Sequence, residues 1–244
     1  MSLYLSRATL SRSPATTALK ALIDPPEARG VGLHDPDRGR VMDAHHRLIW
    51  SLFAGDASAE RDFLWRSEGK GRFLILSPRP PAPDGAGLFD PPEIKPFAPD
   101  LRAGDRLGFV LRANATRTRK LGAQVRGQRV DVVMDALHGL PSGKDSDARR
   151  VARMDAATDA GRDWLARQGA RAGFDLLDFA AADYSVVPLP DHRGKRRGQP
   201  QFGIIEMAGR LRITAPADFV AQMAQGFGRA KAFGCGLMLV RRAP

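Results

Sequence analysis

The sequence predicts an α+β protein whose two halves share one order of elements. From residue 106 onward, the hydrophobic pattern gives strand, helix, strand, strand, helix, strand. Residues 1–102 follow the same order, except that a proline-rich segment at 78–99 replaces the second helix. This is the order of the ferredoxin-like fold, which RNA-recognition modules also use. We therefore predict two tandem ferredoxin-like domains at residues 1–102 and 103–244.

The elements of the first half follow from local patterns. Residues 3–10 alternate and contain an aromatic side chain, which is typical of a strand. Residues 11–40 are rich in Pro, Gly and Asp, so we expect an irregular segment there. Apolar residues recur with helical spacing over 41–53. Further strands are predicted at 61–66, 72–76 and 94–97, with a turn at 69–71 joining the first two.

The second half gives the clearer pattern. Pro216 suits the first turn of a helix, because proline has no N–H to leave unpaired there. A polar, glycine-containing connection is expected between residues 114 and 148. The predicted strands are 106–114, 202–213 and 237–240, with one or two strands over 174–189, and the predicted helices are 148–168 and 216–225.

Charge and cysteine content restrict the function. The 244-residue chain carries a formal charge of +11, which indicates a polyanionic partner, nucleic acid first and an anionic membrane surface second. Arginine supplies most of that charge, and its planar guanidinium pairs with phosphate oxygens. The single cysteine, Cys235, excludes an intramolecular disulfide framework and a multi-cysteine zinc site. Without a long apolar run or a signal-peptide pattern, the chain is expected to be soluble and cytoplasmic, with no membrane partner.

Two adjacent histidines occupy different faces of the helix predicted at 41–53. His45 falls near the middle of the apolar stripe, where a packed core imidazole is expected. His46 falls at the edge of the stripe, one turn before Trp50 and three residues after Asp43. A half-sheltered imidazole beside solvent suits a general acid or base, although an ordinary surface histidine is the alternative.

A glycine-rich stretch precedes the last strand. Residues 226–236 contain four glycines and two cations, Arg229 and Lys231. Glycine lacks Cβ, so such a backbone can approach a phosphate or another chain segment closely. The alternative is a turn that only docks the last strand. A nucleotide-binding loop is disfavoured, because here the helix comes before the glycines and the strand after them.

Five segments together resemble the CasE family, the CRISPR repeat-RNA endoribonucleases of the type I-E Cascade surveillance complex. They occur in the family's order and span residues 4–237, with insertions at 11–40 and 78–92 between them. The segments are Tyr4-Leu5-Ser6-Arg7, His46-Arg47-Leu48-Ile49-Trp50-Ser51-Leu52-Phe53, Arg61-Asp62-Phe63-Leu64-Trp65-Arg66, Leu111-Arg112-Ala113-Asn114 and Gly226-Phe227-Gly228-Arg229-Ala230-Lys231-Ala232-Phe233-Gly234-Cys235-Gly236-Leu237.

The resemblance implies a function and a catalytic residue. Family members bind a repeat hairpin in precursor RNA, cut it at the base of the stem, and stay with the mature guide among the other Cascade subunits. Their catalytic histidine precedes a helical tryptophan by four residues, which corresponds to His46. A tyrosine often stands three residues before that histidine, and this chain has Asp43 there. Asp43 could orient or polarise His46, or could serve only as a carboxylate near the helix start.

The expected chemistry uses the RNA itself as nucleophile. A ribose 2′-OH lies beside the scissile phosphate, so the protein has to align the reacting atoms, move protons and stabilise charge. We expect His46 as general acid or base, with Arg47 or Lys231 beside the phosphate. The products would be a 2′,3′-cyclic phosphate and a 5′-OH. Neither a metal nor another cofactor is required, and no carboxylate pair suggests two-metal catalysis.

RNA contacts are predicted at three sites. The glycine-rich stretch is expected to support the RNA-binding cleft, and a direct phosphate cradle is possible. The predicted RNA-binding residues are Arg193, Lys195, Arg196 and Arg197 at a hairpin tip, Arg112, Arg117, Arg119 and Lys120 in a second basic patch, and Gly226, Gly228, Arg229, Gly234 and Gly236 in the loop.

Two alternative functions stay open. The first is a non-catalytic RNA-binding subunit in which His46 is structural, and a nucleotide-binding enzyme is a remote second.

Overall fold

The protein is built on two four-stranded antiparallel sheets with helices packed against them. The computed structural model describes residues 2–23, 37–53, 60–83, 85–119, 127–139, 146–189 and 200–243. The first half contains β1 (Tyr4–Thr9), α1 (Pro14–Ile23), α2 (Arg38–Trp50), β2 (Leu64–Gly69), β3 (Arg72–Ser77) and β4 (Glu93–Pro96).

The second half contains more elements than the first. These are β5 (Arg106–Ala113), β6 (Thr116–Arg119), β7 (Gln128–Asp131), α3 (Val132–Ala136), α4 (Ser146–Ala172), β8 (Phe174–Pro188), β9 (Gln201–Ile213), α5 (Pro216–Gln225) and β10 (Met238–Arg242). Short 3₁₀ turns follow α2 and α3, and a third, Lys231–Phe233, lies in the glycine-rich stretch. No helix among the described residues has the length and apolar character needed to cross a membrane.

The two sheets have the same topology. Their strand orders are β2-β3-β1-β4 and β10-β5-β9-β8, and every pairing within them is antiparallel. When the four strands of each sheet are numbered in chain order, both sheets run 4-1-3-2, the ferredoxin-like order. The predicted α+β fold of two tandem ferredoxin-like units is confirmed. The predicted division between residues 102 and 103 falls between the last strand of one sheet and the first of the other, and as a domain boundary it stays a prediction.

Helix α2 covers the first sheet and carries the predicted histidines. Leu48 and Ile49 of α2 are buried, and so are the side chains of β2 and β3 that face them, among them Trp65 and Phe73. Successive strand residues point to opposite faces, so Leu64 belongs to a separate cluster with Leu76, Leu237 and α5 on the other side of this sheet. The helix is thereby fixed against the sheet.

One expectation for the first half was wrong. Residues 11–40 do not form an irregular segment throughout, because Pro14–Ile23 is helical. The sequence at residues 13 and 14 is typical of a helix N-terminus. The Ser13 hydroxyl accepts a hydrogen bond from the Thr16 N–H at 3.2 Å, and Pro14 occupies the first helical position. The overall Pro and Gly content of the segment concealed this local pattern. Residues 24–36 lie outside the described part of the chain.

The connection expected between residues 114 and 148 also contains structure. Strands β6 and β7 pair as a hairpin, with Arg117 opposite Val130. Helix α3 follows directly, and the Asp131 carboxylate caps it by accepting hydrogen bonds from the Val133 and Met134 N–H groups. The strands were missed because each has only four residues and they are largely polar, so neither shows an apolar alternation.

Candidate active site

His46 lies in the C-terminal half of α2 and packs against aromatic side chains. The imidazole is half-buried and lies against the rings of Trp50 and Phe63, with centroid distances of 6.3 and 5.8 Å. Trp50 follows from the helical spacing of four residues, whereas Phe63 is contributed by the segment before β2. The Nε2 atom of His46 is buried and has no hydrogen-bond partner among the described residues. A buried polar atom without a partner is unusual and often marks a functional site.

The surroundings of His46 favour its neutral form. Burial is the main cause that lowers its pKa from the ordinary 6.5, and the positive charges of Arg61 and Arg47 lower it further. The negative charge of Asp43 acts in the opposite direction and does not cancel these effects. At neutral pH the ring is therefore mostly uncharged, and an uncharged ring can accept a proton.

Asp43 is engaged by Arg47 on the same helix. The Arg47 Nη2 atom lies 2.8 Å from Asp43 Oδ2, an i, i+4 ion pair on the helix surface. The Arg47 side chain is 78% exposed. Asp43 thus acts on His46 through its charge. Whether it orients the imidazole during a reaction stays a prediction.

Arg61 is a site residue that the sequence analysis did not identify. Its half-buried guanidinium donates a hydrogen bond from Nη1 to the Phe63 carbonyl at 2.5 Å. The ring of the same Phe63 packs against His46. Asp62, the neighbour of Arg61, pairs instead with Arg79, at 2.8 Å. Arg61 forms no salt bridge within the described residues. Its position in one of the family-like segments was the only available signal, because residues 60–63 precede β2 in an irregular backbone.

Lys231 belongs to the second half of the chain, and it lies close enough to Arg61 for the two charges to interact. It opens the 3₁₀ turn Lys231–Phe233, which packs against α2 and β2. The ammonium group is half-buried, and burial followed by the Arg61 charge lowers its pKa. Arg61 therefore influences both His46 and Lys231. The result is a cluster of one neutral imidazole and two half-buried cations, hereafter the His46 cluster (His46, Arg61, Lys231).

The glycines of the 226–236 stretch allow close backbone contacts. All four have positive φ, and a Cβ on Gly228 would lie 2.6 Å from the Asn114 carbonyl oxygen. A Cβ on Gly234 would lie 3.1 Å from the Trp65 ring. Several backbone N–H groups of the loop already donate within the protein: Phe227 to Gly236 O, Arg229 to Asn114 O and Gly236 to Arg112 O. These three amides are therefore not free to cradle a phosphate. The loop instead positions Lys231 and the last strand.

The comparisons with known proteins identify the family of the chain. The family described as "CRISPR associated protein" matches residues 3–242. The chain belongs to this CRISPR-associated family. Within it, the chain is 29% identical over 221 residues to the "CRISPR-associated endoribonuclease Cse3" of Thermus thermophilus, covering 84% of this chain and 91% of that protein. The resemblance to the CasE (Cse3/Cas6e) endoribonucleases is confirmed.

Solved structures of this CRISPR-associated family share the fold. Cse3 bound to a 19-nucleotide RNA matches with a TM-score of 0.60 and 22% identity, covering 99% of this chain and 100% of that one. Cas6e from Escherichia coli K-12 matches with a TM-score of 0.57 and 18% identity, covering 98% and 100%. A chain of a CRISPR RNA-guided surveillance complex matches with a TM-score of 0.55 and 18% identity, covering 98% and 100%. At these identities the structural matches establish the fold alone.

The predicted RNA-binding residues fall in different places. Arg112 on β5 pairs with Glu206 on β9, and Arg66 on β2 pairs with the same carboxylate at 3.1 Å, so Arg112 lies where the two sheets meet. Arg117 and Arg119 lie on β6 and are half-exposed. Lys120, Arg193, Lys195, Arg196 and Arg197 lie outside the described residues. For all of these positions, and for the loop residues Gly226, Gly228, Arg229, Gly234 and Gly236, RNA binding stays a prediction.

Among the described residues, no group of three or more His, Cys, Asp or Glu side chains is arranged to hold a metal ion. Cys235 is buried, and burial raises its thiol pKa to about 12. The thiol is therefore protonated and unreactive at neutral pH.

Proposed function

We propose that this protein is an endoribonuclease that binds CRISPR repeat hairpins in precursor RNA and cleaves them at the base of the stem. The observation that carries the proposal is the His46 cluster, in which an unpartnered imidazole nitrogen stands beside two cations that form no salt bridge within the described residues. Half-buried cations without a carboxylate partner favour an anionic ligand. The endoribonuclease name of the Thermus relative supports the same activity.

His46 moves a proton in the proposed reaction. The 2′-oxygen attacks phosphorus as its proton leaves, and the bond from phosphorus to the 5′-oxygen breaks as that oxygen gains a proton. The 2′-O–P bond formed gives a 2′,3′-cyclic phosphate, and the other product ends in a 5′-OH. Neutral His46 accepts the 2′-OH proton, because its lowered pKa keeps it uncharged in the free protein. The protonated ring can then return that proton to the 5′-oxygen as it leaves, so the proton balance closes.

Arg61 and Lys231 supply positive charge to the phosphate. Charge accumulates on the phosphoryl oxygens as the 2′-oxygen attacks, so cations fixed in advance lower the barrier. The two cations come from different halves of the chain, so the scissile phosphate would lie between the first sheet and the glycine-rich stretch. Exposed Arg47 binds a neighbouring phosphate, while Asp43 limits how far the pKa of His46 falls.

The rest of the basic surface holds the RNA. Half-exposed Arg117 and Arg119, exposed Arg229, and the four cations of residues 193–197 contact the phosphates of the stem, which need not be read base by base. The glycines of the 226–236 stretch support this cleft by positioning its backbone. The protein works in the cytoplasm, in two domains divided near residue 102, and stays on the product as a subunit of a Cascade-type complex. Solved family chains bound to RNA and in RNA-guided surveillance complexes support that assignment.

End-group analysis with a matched variant tests the proposal. Wild-type protein should convert a repeat hairpin into two fragments, one with a 2′,3′-cyclic phosphate and one with a 5′-OH. His46→Ala should bind the hairpin with unchanged affinity and cleave it about 10²–10⁴-fold more slowly. If the wild type binds the hairpin but never cuts it, the protein is a non-catalytic binding subunit. If His46→Ala cuts at the wild-type rate, His46 is not catalytic.

A further inference from the structure

Asp135 on α3 joins two arginines of the neighbouring strand. Its side chain is only 3% exposed, and each carboxylate oxygen binds a different guanidinium. Arg117 pairs with Oδ2 through Nε and Nη2, and Arg119 Nη1 lies 3.0 Å from Oδ1. A nearly buried carboxylate with two charge-assisted partners holds both side chains in one arrangement.

The support beneath this arrangement is rigid. Asp131 caps α3 with two hydrogen bonds to backbone N–H groups, and Val132 and Val133 are buried in the core of the second half. Arg117 and Arg119 are two residues apart on β6, so both project from the same face of the β6–β7 hairpin. The carboxylate and the two arginines therefore keep a fixed relative position.

The arginines remain able to bind an anion. They are 52% and 45% exposed, and each guanidinium has five N–H donors, of which Asp135 takes only some. Together with Thr118 and His138, they and Asp135 line an open cavity of about 630 Å³. The net charge of the three ionised groups is +1. An anion that enters this cavity would meet guanidinium groups whose rotamer freedom has already been lost, which reduces the entropy cost of binding.

We propose that Asp135 is a positioning residue that orders Arg117 and Arg119 to bind one backbone phosphate of the RNA stem. The inference rests on the proposed function, since it requires RNA to be the ligand. The proposal predicts that loss of the Asp135 carboxylate changes RNA affinity in the direction opposite to that expected from net charge. Removing the Asp135 charge makes the protein more positive, which by itself would strengthen RNA binding, whereas loss of the ordered pair weakens it.

The test measures the affinity of a repeat hairpin that carries a single 2′-deoxy at the cut site, in EDTA and over a range of salt. Asp135→Asn should weaken binding by about tenfold and reduce the salt dependence, although it adds one unit of positive charge. Binding of an unrelated single-stranded RNA should not weaken. In an Arg117→Gln/Arg119→Gln background, Asp135→Asn should change nothing further. Arg129→Gln is the matched control, because exposed Arg129 lies on the opposite face of the same hairpin and should have the smaller effect.

A second variant keeps the test valid if Asp135→Asn does not fold. Arg117→Lys/Arg119→Lys preserves the charge on two exposed side chains and removes the fixed fork, so it should lose affinity about as much as Asp135→Asn. Equal or tighter hairpin binding by Asp135→Asn, or wild-type binding by the lysine variant, would overturn the role of Asp135 while leaving the proposed function intact. Failure of the wild type itself to bind the hairpin would overturn both.

Discussion

His46 and Arg61 are coupled through charge. Arg61 and Arg47 both disfavour the protonated imidazole, Asp43 favours it, and the charge of Arg61 also lowers the pKa of Lys231. Burial is the largest cause of the lowered pKa of His46, and the remaining causes are the charges of individual side chains. Substitution of one charged residue should therefore move this pKa in a direction that can be stated in advance. This makes the proton-transfer role testable at the level of individual residues.

The acid limb of the pH–rate profile should follow the pKa of His46. For kcat/KM, which reports the free protein, cleavage should decline as pH falls through a value below 6.5, because protonated His46 cannot accept the 2′-OH proton. Arg61→Gln removes a nearby positive charge, so it should shift this limb to higher pH. It should also lower the plateau rate by about 10²-fold, because a cation beside the phosphate is lost. Single-turnover cleavage over pH 4.5–8.5 would measure both effects.

Substitution of Asp43 should shift the acid limb of the pH–rate profile in the direction opposite to Arg61→Gln. Asp43→Asn removes a negative charge that raises the pKa of His46, so the limb should move to lower pH. Arg72→Gln, an exposed arginine on β3 away from the cluster, should leave the limb in place. A shift in the same direction for Arg61→Gln and Asp43→Asn would contradict the account of His46.

The location of His46 could be predicted from the sequence, and that of Arg61 could not. The angle of a residue around a helix depends only on its spacing, so the contrast between His45 and His46 was visible in the sequence. In the structure His45 packs edge-on against Phe73 at 4.9 Å but is only partly buried, like His46, so it borders the core and does not lie within it. Arg61 precedes β2 in an irregular stretch, and its direction depends on where the Phe63 carbonyl lies.

Among the elements, the glycine-rich stretch has a tightly constrained backbone. Gly228→Ala would have to place a Cβ 2.6 Å from a carbonyl oxygen at a φ of +77°. We predict a loss of unfolding free energy of about 2 kcal/mol or more, together with slower cleavage because Lys231 is displaced. Gly85→Ala is the control, since its Cβ would meet nothing within 4 Å and its φ is not in the left-handed region. Equal unfolding midpoints in urea for the two variants would refute this account of the loop.

Elements with strong hydrophobic periodicity were predicted, and short polar ones were not. Strand β5 alternates between buried and less buried residues along its length, and it was found within one residue of its bounds. Strands β6 and β7 and helix α3 have four or five residues each, and their stability comes from the Asp131 cap and from tertiary contacts. Propensity and pattern carry little information at that length.

For the molecule as a whole, one carboxylate links the two sheets. Glu206 on β9 pairs with Arg112 on β5 and with Arg66 on β2, which is 140 residues away in sequence. All three side chains are 19% exposed. Hydrophobic patterns predicted each sheet separately, but a pairing across two units could not be read from them. At the same junction, the turn Lys231–Phe233 of the second half packs against α2 and β2 of the first.

Removing Glu206 should therefore affect both stability and catalysis. Glu206→Ala leaves two largely buried guanidinium groups without their shared partner, so we expect a loss of about 2 kcal/mol or more in unfolding free energy. Asp175→Ala is the matched control, because its pair with Arg212 is about half-exposed and should be worth less than about 1 kcal/mol. Urea unfolding of both variants gives the comparison. A loss for Glu206→Ala no larger than that of the control would show that the junction does not depend on this ion pair.

We propose that His46 promotes attack by the RNA's own 2′-OH without a metal ion. The most direct test compares an all-ribose repeat hairpin with the same hairpin carrying one 2′-deoxy at the junction, in excess EDTA. We predict that the protein cuts the all-ribose RNA in EDTA and binds the deoxy RNA equally well without cutting it. Cleavage of the deoxy RNA, or cleavage of the ribose RNA only after a divalent metal is restored, would contradict the proposed mechanism.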